Sequence, residues 1–223
     1  MYAPVEIGSS MQLTKPRAVL FDLDGTLIDT MPAFADVAAA VMHAHHGLDP
    51  VVGRKAYLDT SGIPFFKQLE VIAPGDARNA AAAAEFERKK VEATFDVVPS
   101  AETLAGLAEL RRLGCHIAVC SNNFQDQVDK FVVQCPGIVD LALGFGDGMA
   151  KGEPHFDRAC QTFGLVRADL LFVGDSLADA RLALAAGVRF VARLGTFDAT
   201  AFREVAPESA AITEITQLPE LFI

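Results

Sequence analysis

The 223-residue sequence predicts an α/β fold, a doubly wound parallel sheet with an inserted helical cap domain. Two observations predict it. From residue 97 onward, short apolar runs alternate with segments of helical periodicity, the pattern of parallel strands covered on both faces by crossover helices. Between residues 49 and 96 no strand pattern is found and apolar residues recur only at helical spacing, so an all-helical module is expected after the first strand. The division that follows is an N-terminal arm over 1–16, an α/β core built from 17–30 and 97–223, and a helical cap over 31–96.

Ala18-Val19-Leu20-Phe21 is the first strand, and Asp22-Leu23-Asp24-Gly25-Thr26 follows it directly. Strand side chains alternate, so Asp22 and Asp24 would point the same way if the strand ran straight through them. Two carboxylates this close repel each other and resist burial, which calls for a cation or a shared proton nearby. Pro32 suits a helix first turn, and Gly47 is placed to end that helix after His46. Short helical patterns cover 51–58 and 64–72. A longer one covers 76–93, with five alanines at 80–84 and Glu85 four residues before Lys89. Ser100 is an expected N-cap for a helix over 101–113, stopped by Gly114. Strands are then expected at 116–120, 138–143, 169–173 and 188–192, with helices at 124–135, 154–163 and 177–186. The tail, 200–223, reads as a helix, a short edge strand and a last helix.

The net charge of −10 argues against a nucleic-acid partner and against an anionic membrane surface. No apolar run approaches the roughly 18–20 residues that span a bilayer. Residues 1–16 lack the basic-then-apolar order of a secretory signal and read as a loose arm. Cys115, Cys120, Cys135 and Cys160 show no C-x-x-C spacing, which suits reduced, mostly buried thiols in a cytoplasmic protein. His43, His45 and His46 read as a solvated helix end, Arg54 and Lys55 as a solvated face, and Phe65, Phe66 and Phe86 as cap core.

Ligands of open α/β sheets bind beyond the carboxyl ends of the strands. That edge collects Asp22 and Asp24, then Ser121-Asn122-Asn123, then Asp175 and Asp179 of Gly174-Asp175-Ser176-Leu177-Ala178-Asp179, with Lys151 ahead of the preceding helix. A carboxylate cluster without histidine or cysteine suits a hard cation, magnesium above all. The metal would hold one side of a phosphate, with Lys151 and Ser121 on the other. One aspartate could attack phosphorus while a second carboxyl group moves the proton.

These stretches, Asp22-Leu23-Asp24-Gly25-Thr26, Ser121, Lys151 and Gly174-Asp175-Ser176-x-x-Asp179, resemble in order the four motifs of the haloacid dehalogenase superfamily, over about residues 16–194. Leu27-Ile28-Asp29-Thr30, Lys151-Gly152-x-Pro154-His155 and Ala185-Ala186-Gly187, with the helical cap, resemble its phosphoglycolate phosphatase-like branch. The resemblance implies a Rossmann-like core and a magnesium-dependent phosphatase acting on a small phosphorylated metabolite through an aspartyl-phosphate. By it, Asp22 is the nucleophile and a metal ligand, and Asp24 is the general acid/base, binding metal through its backbone carbonyl. Ser121 and the amide of Asn122 hold phosphate, and Lys151 neutralises it. Asp175 binds the metal directly, while Asp179 orients a metal-bound water or its neighbours. Members that cleave carbon–halogen bonds lack an acid at the position of Asp24, so Asp24 favours phosphoryl transfer. Thr60-Ser61-Gly62-Ile63-Pro64 resembles the cap loop that faces the substrate. Phe65 stands where sugar-phosphate isomerising relatives carry a basic residue, and Lys67 is displaced by two from the Schiff-base lysine of phosphonate-cleaving ones. A phosphomutase, a phosphonatase and a catalytically silent binding protein are the alternatives.

Overall fold

The computed structural model describes residues 12–93 and 97–223. Strand β1 (Ala18–Phe21) is followed by four helices, α1 (Met31–His46), α2 (Pro50–Asp59), α3 (Phe65–Ile72) and α4 (Asn79–Ala93). The alternation then begins with α5 (Ala101–Arg112), β2 (His116–Phe124), α6 (Gln125–Val133), β3 (Leu141–Phe145) and α7 (Glu153–Phe163). It ends with β4 (Leu170–Gly174), α8 (Leu177–Ala185), β5 (Arg189–Arg193), α9 (Ala199–Val205) and β6 (Ala210–Ile212). The six strands form one parallel sheet in the order β3-β2-β1-β4-β5-β6.

Strand alternation sorts the apolar runs onto two faces. Leu20, Phe172 and Phe190 pack with Phe156 of α7, Ala183 of α8 and Phe202 of α9. Val19, Phe21, Val119 and Val173 pack with Leu107 and Leu110 of α5 and Phe131 of α6. All four residues of β1 are fully buried, which is why its sequence shows no polar alternation. The strand lies between β2 and β4, so its carboxyl end is the centre of the ligand edge.

The inserted helices have their own core, built on Phe34, Met42, Tyr57, Phe65, Leu69 and Phe86. The rings of Phe65 and Phe86 lie 4.2 Å apart. Their ends follow local chemistry. Gly47 closes α1 at φ +70°, and Asp49 caps α2 by accepting from the amides of Val51 and Val52. No helix among the described residues is long and apolar enough to cross a membrane.

Several expectations need correction. Of the arm expected over 1–16, residues 1–11 lie outside the described residues, and 12–16 are tied to the core: Leu13 pairs with Phe222, and Arg189 donates to the carbonyl of Thr14. Helix α4 starts at Asn79 rather than 76, because the Asp76 carboxylate accepts from the amide of Arg78 in a turn. Strand β2 runs to Phe124 through a register shift after Cys120. Strand β3 starts at Leu141, since Asp140 caps the amide of Ile117 from outside the strand. The last helix is a 3-10 segment, Ile215–Leu221, with Pro219 inside. Phe66 is 46% exposed, and its ring faces Phe145 of the core at 6.5 Å. His45 donates to Glu85 at 2.7 Å and His46 to Asn79 at 3.0 Å, so this helix end is tied to α4 rather than simply solvated. Lys55 pairs with Asp59 and Arg54 with Asp36 on an open surface, as expected.

Candidate active site

Strand β1 ends at Phe21 and the chain turns at Gly25, at φ +78°, so Asp22 and Asp24 lie beyond the strand, and both line one cavity. The two carboxylates serve different neighbours. Asp22 is buried, with Lys151 Nζ 3.0 Å from its Oδ1. Asp24 accepts from Thr30 Oγ1 through Oδ1 and from Asn123 Nδ2 through Oδ2, both at 2.7 Å.

Lys151 lies in the turn before α7, its side chain only 3% exposed, and also reaches Asp179 Oδ1 at 2.7 Å. Asp179 sits at the first turn of α8 in a capping box. Its Oδ2 accepts from the amide and hydroxyl of Ser176, whose Oγ accepts from the amide of Asp179. That arrangement fixes the aspartate in one rotamer below Lys151. Asp175, at the end of β4, accepts a hydrogen bond from Thr196 Oγ1. One carboxylate oxygen from each of Asp22, Asp175 and Asp179 falls in a group no wider than 4.8 Å, and all three residues are buried.

The electrostatics show what this cluster lacks. Burial holds the Asp22 carboxyl well above the usual carboxylate range; Lys151 opposes the shift, and Asp179, Asp175 and Asp24 add to it. Burial also raises Asp175 to about 7, with Asp179 contributing. Burial works against the charge of Lys151, yet Asp179 and Asp22 hold its pKa above the normal lysine value. One lysine among three buried acids leaves excess negative charge, and oxygen donors so arranged fit a divalent cation.

Ser121 is buried, and its Oγ accepts from the amide of Asn123 at 3.0 Å. Asn122 bridges two elements: its Nδ2 donates to the carbonyl of Gly62 at 3.1 Å, and its Oδ1 accepts from the amide of Lys151 at 3.2 Å. The cap loop lies directly on the core here. A Cβ on Gly62, at φ +91°, would come within 2.1 Å of Ser176 Oγ. Between cap and core is a cavity of about 60 Å³ lined by Asp22, Asp24, Asp175, Ser121, Asn122 and Lys151 on the core side. Ser61 and Gly62 line it from the cap, and Phe65 does so while remaining part of the cap core. Thr60 does not line it. Its hydroxyl donates to the carbonyl of Ala56 and to Gln68 Oε1, closing the end of α2. A wider cleft of about 870 Å³, lined by Gly25, Met31, Arg54, Ser100, Arg193 and Thr196, contains none of the clustered acids.

Three contributors were missed from the sequence, namely Thr196, Tyr57 and Lys90, while Asn123 was placed on the ligand edge without a role. Lys90 lines the cavity from α4, where the run Glu85-Phe86-Glu87-Arg88-Lys89-Lys90 reads only as helix, supported by the spacing of Glu85 and Lys89. The available signal was its spacing of four from Phe86, which puts it on the apolar side of the helix.

Residues 16–187 match the sequence profile of the haloacid dehalogenase-like hydrolases. The chain belongs to that family. Among curated relatives, a phosphoglycolate phosphatase of Thiobacillus denitrificans is 32% identical over 187 residues, 77% of this chain and 80% of the relative. A phosphoglycolate phosphatase of Cereibacter sphaeroides is 32% identical over 186 residues, covering 77% and 82%. Among solved structures, a haloacid dehalogenase-like hydrolase from Streptococcus pneumoniae superposes with a TM-score of 0.77 at 17% identity, covering 93% of this chain and 99% of that one. This last likeness is one of fold.

Proposed function

We propose that this hydrolase is a magnesium-dependent phosphatase that hydrolyses a small phosphorylated metabolite through an aspartyl-phosphate on Asp22. The observation that carries the reading is the buried Lys151 held between Asp22 and Asp179 beside Asp175, in a cavity roofed by helices α1–α4. The names of the curated relatives make phosphoglycolate the first ester to test. In this reading residues 31–96 act as a lid on a core of 17–30 and 97–223.

Asp22, Asp175 and Asp179, with the backbone carbonyl of Asp24, would hold magnesium or its waters, and the bound ion would supply positive charge to the transferring phosphoryl group. An oxygen of Asp22 attacks phosphorus, and the bond to the leaving oxygen breaks. Asp24 gives that oxygen its proton, then removes one from the water that cleaves the acyl phosphate. Thr30 and Asn123 aim the Asp24 carboxyl from opposite oxygens. Lys151 and the Ser121 hydroxyl contact the phosphoryl oxygens, assisted by the amide of Asn122. Lid closure excludes bulk water. Ser61 and Gly62 form the part of the cap loop that faces the substrate; Thr60 stabilises the loop. A net charge of −10 fits an enzyme of a small metabolite rather than one of nucleic acid or membranes, and free, mostly buried cysteines fit a cytoplasmic one.

Two alternatives lose support. Lys67, the lysine nearest the phosphonatase position, is exposed beside the Phe66 ring and outside the cavity. Phe65 places an apolar ring where a phosphomutase would carry a cation. The test is phosphate release from a panel of small phosphomonoesters, with and without magnesium, for the native chain and Asp22→Asn. Metal-dependent release abolished by the substitution supports the reading. Background release across the panel overturns it, and the products are then examined for isomerisation before the silent-binder reading is adopted.

A further inference from the structure

Resting on the phosphatase reading, we propose that Tyr57 and Ser61 are the specificity pair of the cap, two neutral hydroxyls that select as leaving group a short, uncharged alcohol bearing a further hydroxyl of its own.

Most polar cap side chains that line the cavity already have partners. Gln68 accepts from Thr60 through Oε1 and donates to the carbonyl of Ile63. The Lys90 ammonium is taken up by Asn123 Oδ1 at 2.8 Å and Glu87 Oε2 at 3.1 Å. Tyr57 and Ser61 differ. Tyr57 is 5% exposed and Ser61 6%, and both line the cavity. Neither hydroxyl has a hydrogen-bond partner among the described residues. Buried hydroxyls are normally bonded, and one left unpaired carries a desolvation penalty that a ligand atom removes.

The pair is also held in place. Tyr57 lies in α2 and Ser61 four residues on, just past the end of that helix. The Tyr57 ring is packed 5.6 Å from Phe86 and 5.9 Å from Phe65. Gly62, next to Ser61, accepts from Asn122 Nδ2 at 3.1 Å, which seats the loop on the core. Groups fixed before binding lose little freedom on binding.

The surroundings of the pair set what it can select. Burial holds the Tyr57 hydroxyl well above its ordinary pKa, so it stays a neutral donor, and Asp24 weighs on it more than Glu87, Asp175 or Asp22. Asp24 is the acid proposed to protonate the leaving oxygen, so Tyr57 stands on the leaving-group side, with Lys151 and Ser121 on the phosphoryl side. The charged groups lining that end are Asp24, Glu87 and Lys90, and Lys90 is spent on Glu87 and Asn123. A second anion on the leaving group would face uncompensated carboxylate. A hydroxyl accepts from Tyr57 or Ser61 and can donate to the acids.

The experiment measures kcat/KM with magnesium for sn-glycerol 3-phosphate and for propyl phosphate, the same chain without the two hydroxyls. Native chain, Tyr57→Phe, which keeps the ring contacts, and Ser61→Ala, which removes an unbonded atom, are compared. Each substitution is expected to reduce the preference for the glycerol ester by about 3- to 10-fold, the worth of one neutral hydrogen bond. The intrinsic difference between the two alcohols is common to all variants and cancels. Native enzyme is also expected to prefer 2-hydroxyethyl phosphate to 2-phosphoglycolate. A preference ratio unchanged in both variants, or equal losses on both esters, overturns the role of the pair while leaving the phosphatase intact. A native preference for 2-phosphoglycolate overturns the selection of an uncharged alcohol. Absence of phosphate release from every ester tested overturns the phosphatase reading itself.

Discussion

Replacing Gly25 by alanine tests whether the turn after β1 is built around a metal ligand. At φ +78° a Cβ is strained by about 1–2 kcal/mol on backbone grounds alone. The same Cβ would sit 2.1 Å from Asp175 Oδ2, 2.6 Å from its Cγ and 2.8 Å from Met31 Cγ. Forced overpacking of that kind costs about 1–3 kcal/mol more. The easiest relief is rotation of the Asp175 carboxylate, which breaks its bond to Thr196 and takes one oxygen out of the acid cluster. Gly25→Ala is therefore expected to lose about 2–5 kcal/mol of unfolding free energy in EDTA. It should also lose most of the additional stability that magnesium gives the native chain. Urea unfolding with EDTA and at several magnesium concentrations separates the two effects, because ligand stabilisation grows with concentration relative to Kd. A variant with the native midpoint and the native magnesium dependence would refute the reasoning.

Three further outcomes are expected. Lys151→Met leaves Asp22 and Asp179 facing each other in a buried site and should cost about 3–5 kcal/mol of metal-free stability in urea unfolding; kcat should fall by at least about 100-fold, and native stability in the variant would show the pair to be solvated. Proton and metal compete for Asp22 and Asp175, whose folded pKa values are raised, so the increment in Tm produced by magnesium should grow as pH rises through about 7 and shrink toward pH 5. In the metal-free chain those raised carboxylates make stability fall as pH rises above their unfolded value, toward about 7 for Asp175. His155, held down to about 4 chiefly by burial, acts in the opposite sense below its unfolded value, so the metal-dependent difference is the quantity to follow. A magnesium increment independent of pH between 5 and 8 would contradict this. Asn122→Ala removes the bonds to Gly62 and to the Lys151 amide and should lower the urea-derived stability by about 1–3 kcal/mol, an effect absent if the cap loop is held by packing alone.

The sheet was legible because a strand covered on both faces has to be apolar throughout, and Val19, Phe21, Leu171 and Phe172 have no other use. The acids at strand ends were legible because topology alone brings them to one edge. What escaped was governed by side-chain bonds between distant segments. Ser121 and Asn123 prolong β2 past its apolar run, since Asn123 is tied to both Asp24 and Lys90. Thr60 carries the same residue type as a substrate-binding hydroxyl, yet its geometry as a helix end decides its partner. Lys90 was concealed in a run of charges whose helical phase, not its composition, set its burial. The 3-10 tail follows from Pro219, which cannot donate into an α-helical ladder.

The position of β1 has a consequence for synthesis. The strand that centres the sheet ends at Phe21, but its first neighbour begins at His116 and its second at Leu170. At about 5–20 residues per second, an apolar segment destined for complete burial waits on the order of 5–20 s before β2 leaves the ribosome. The four helices that follow it have a core of their own and can condense in that interval. The nascent chain thus carries a folded helical unit beside a bare, sticky strand, and this is the stage at which a chaperone would find something to hold.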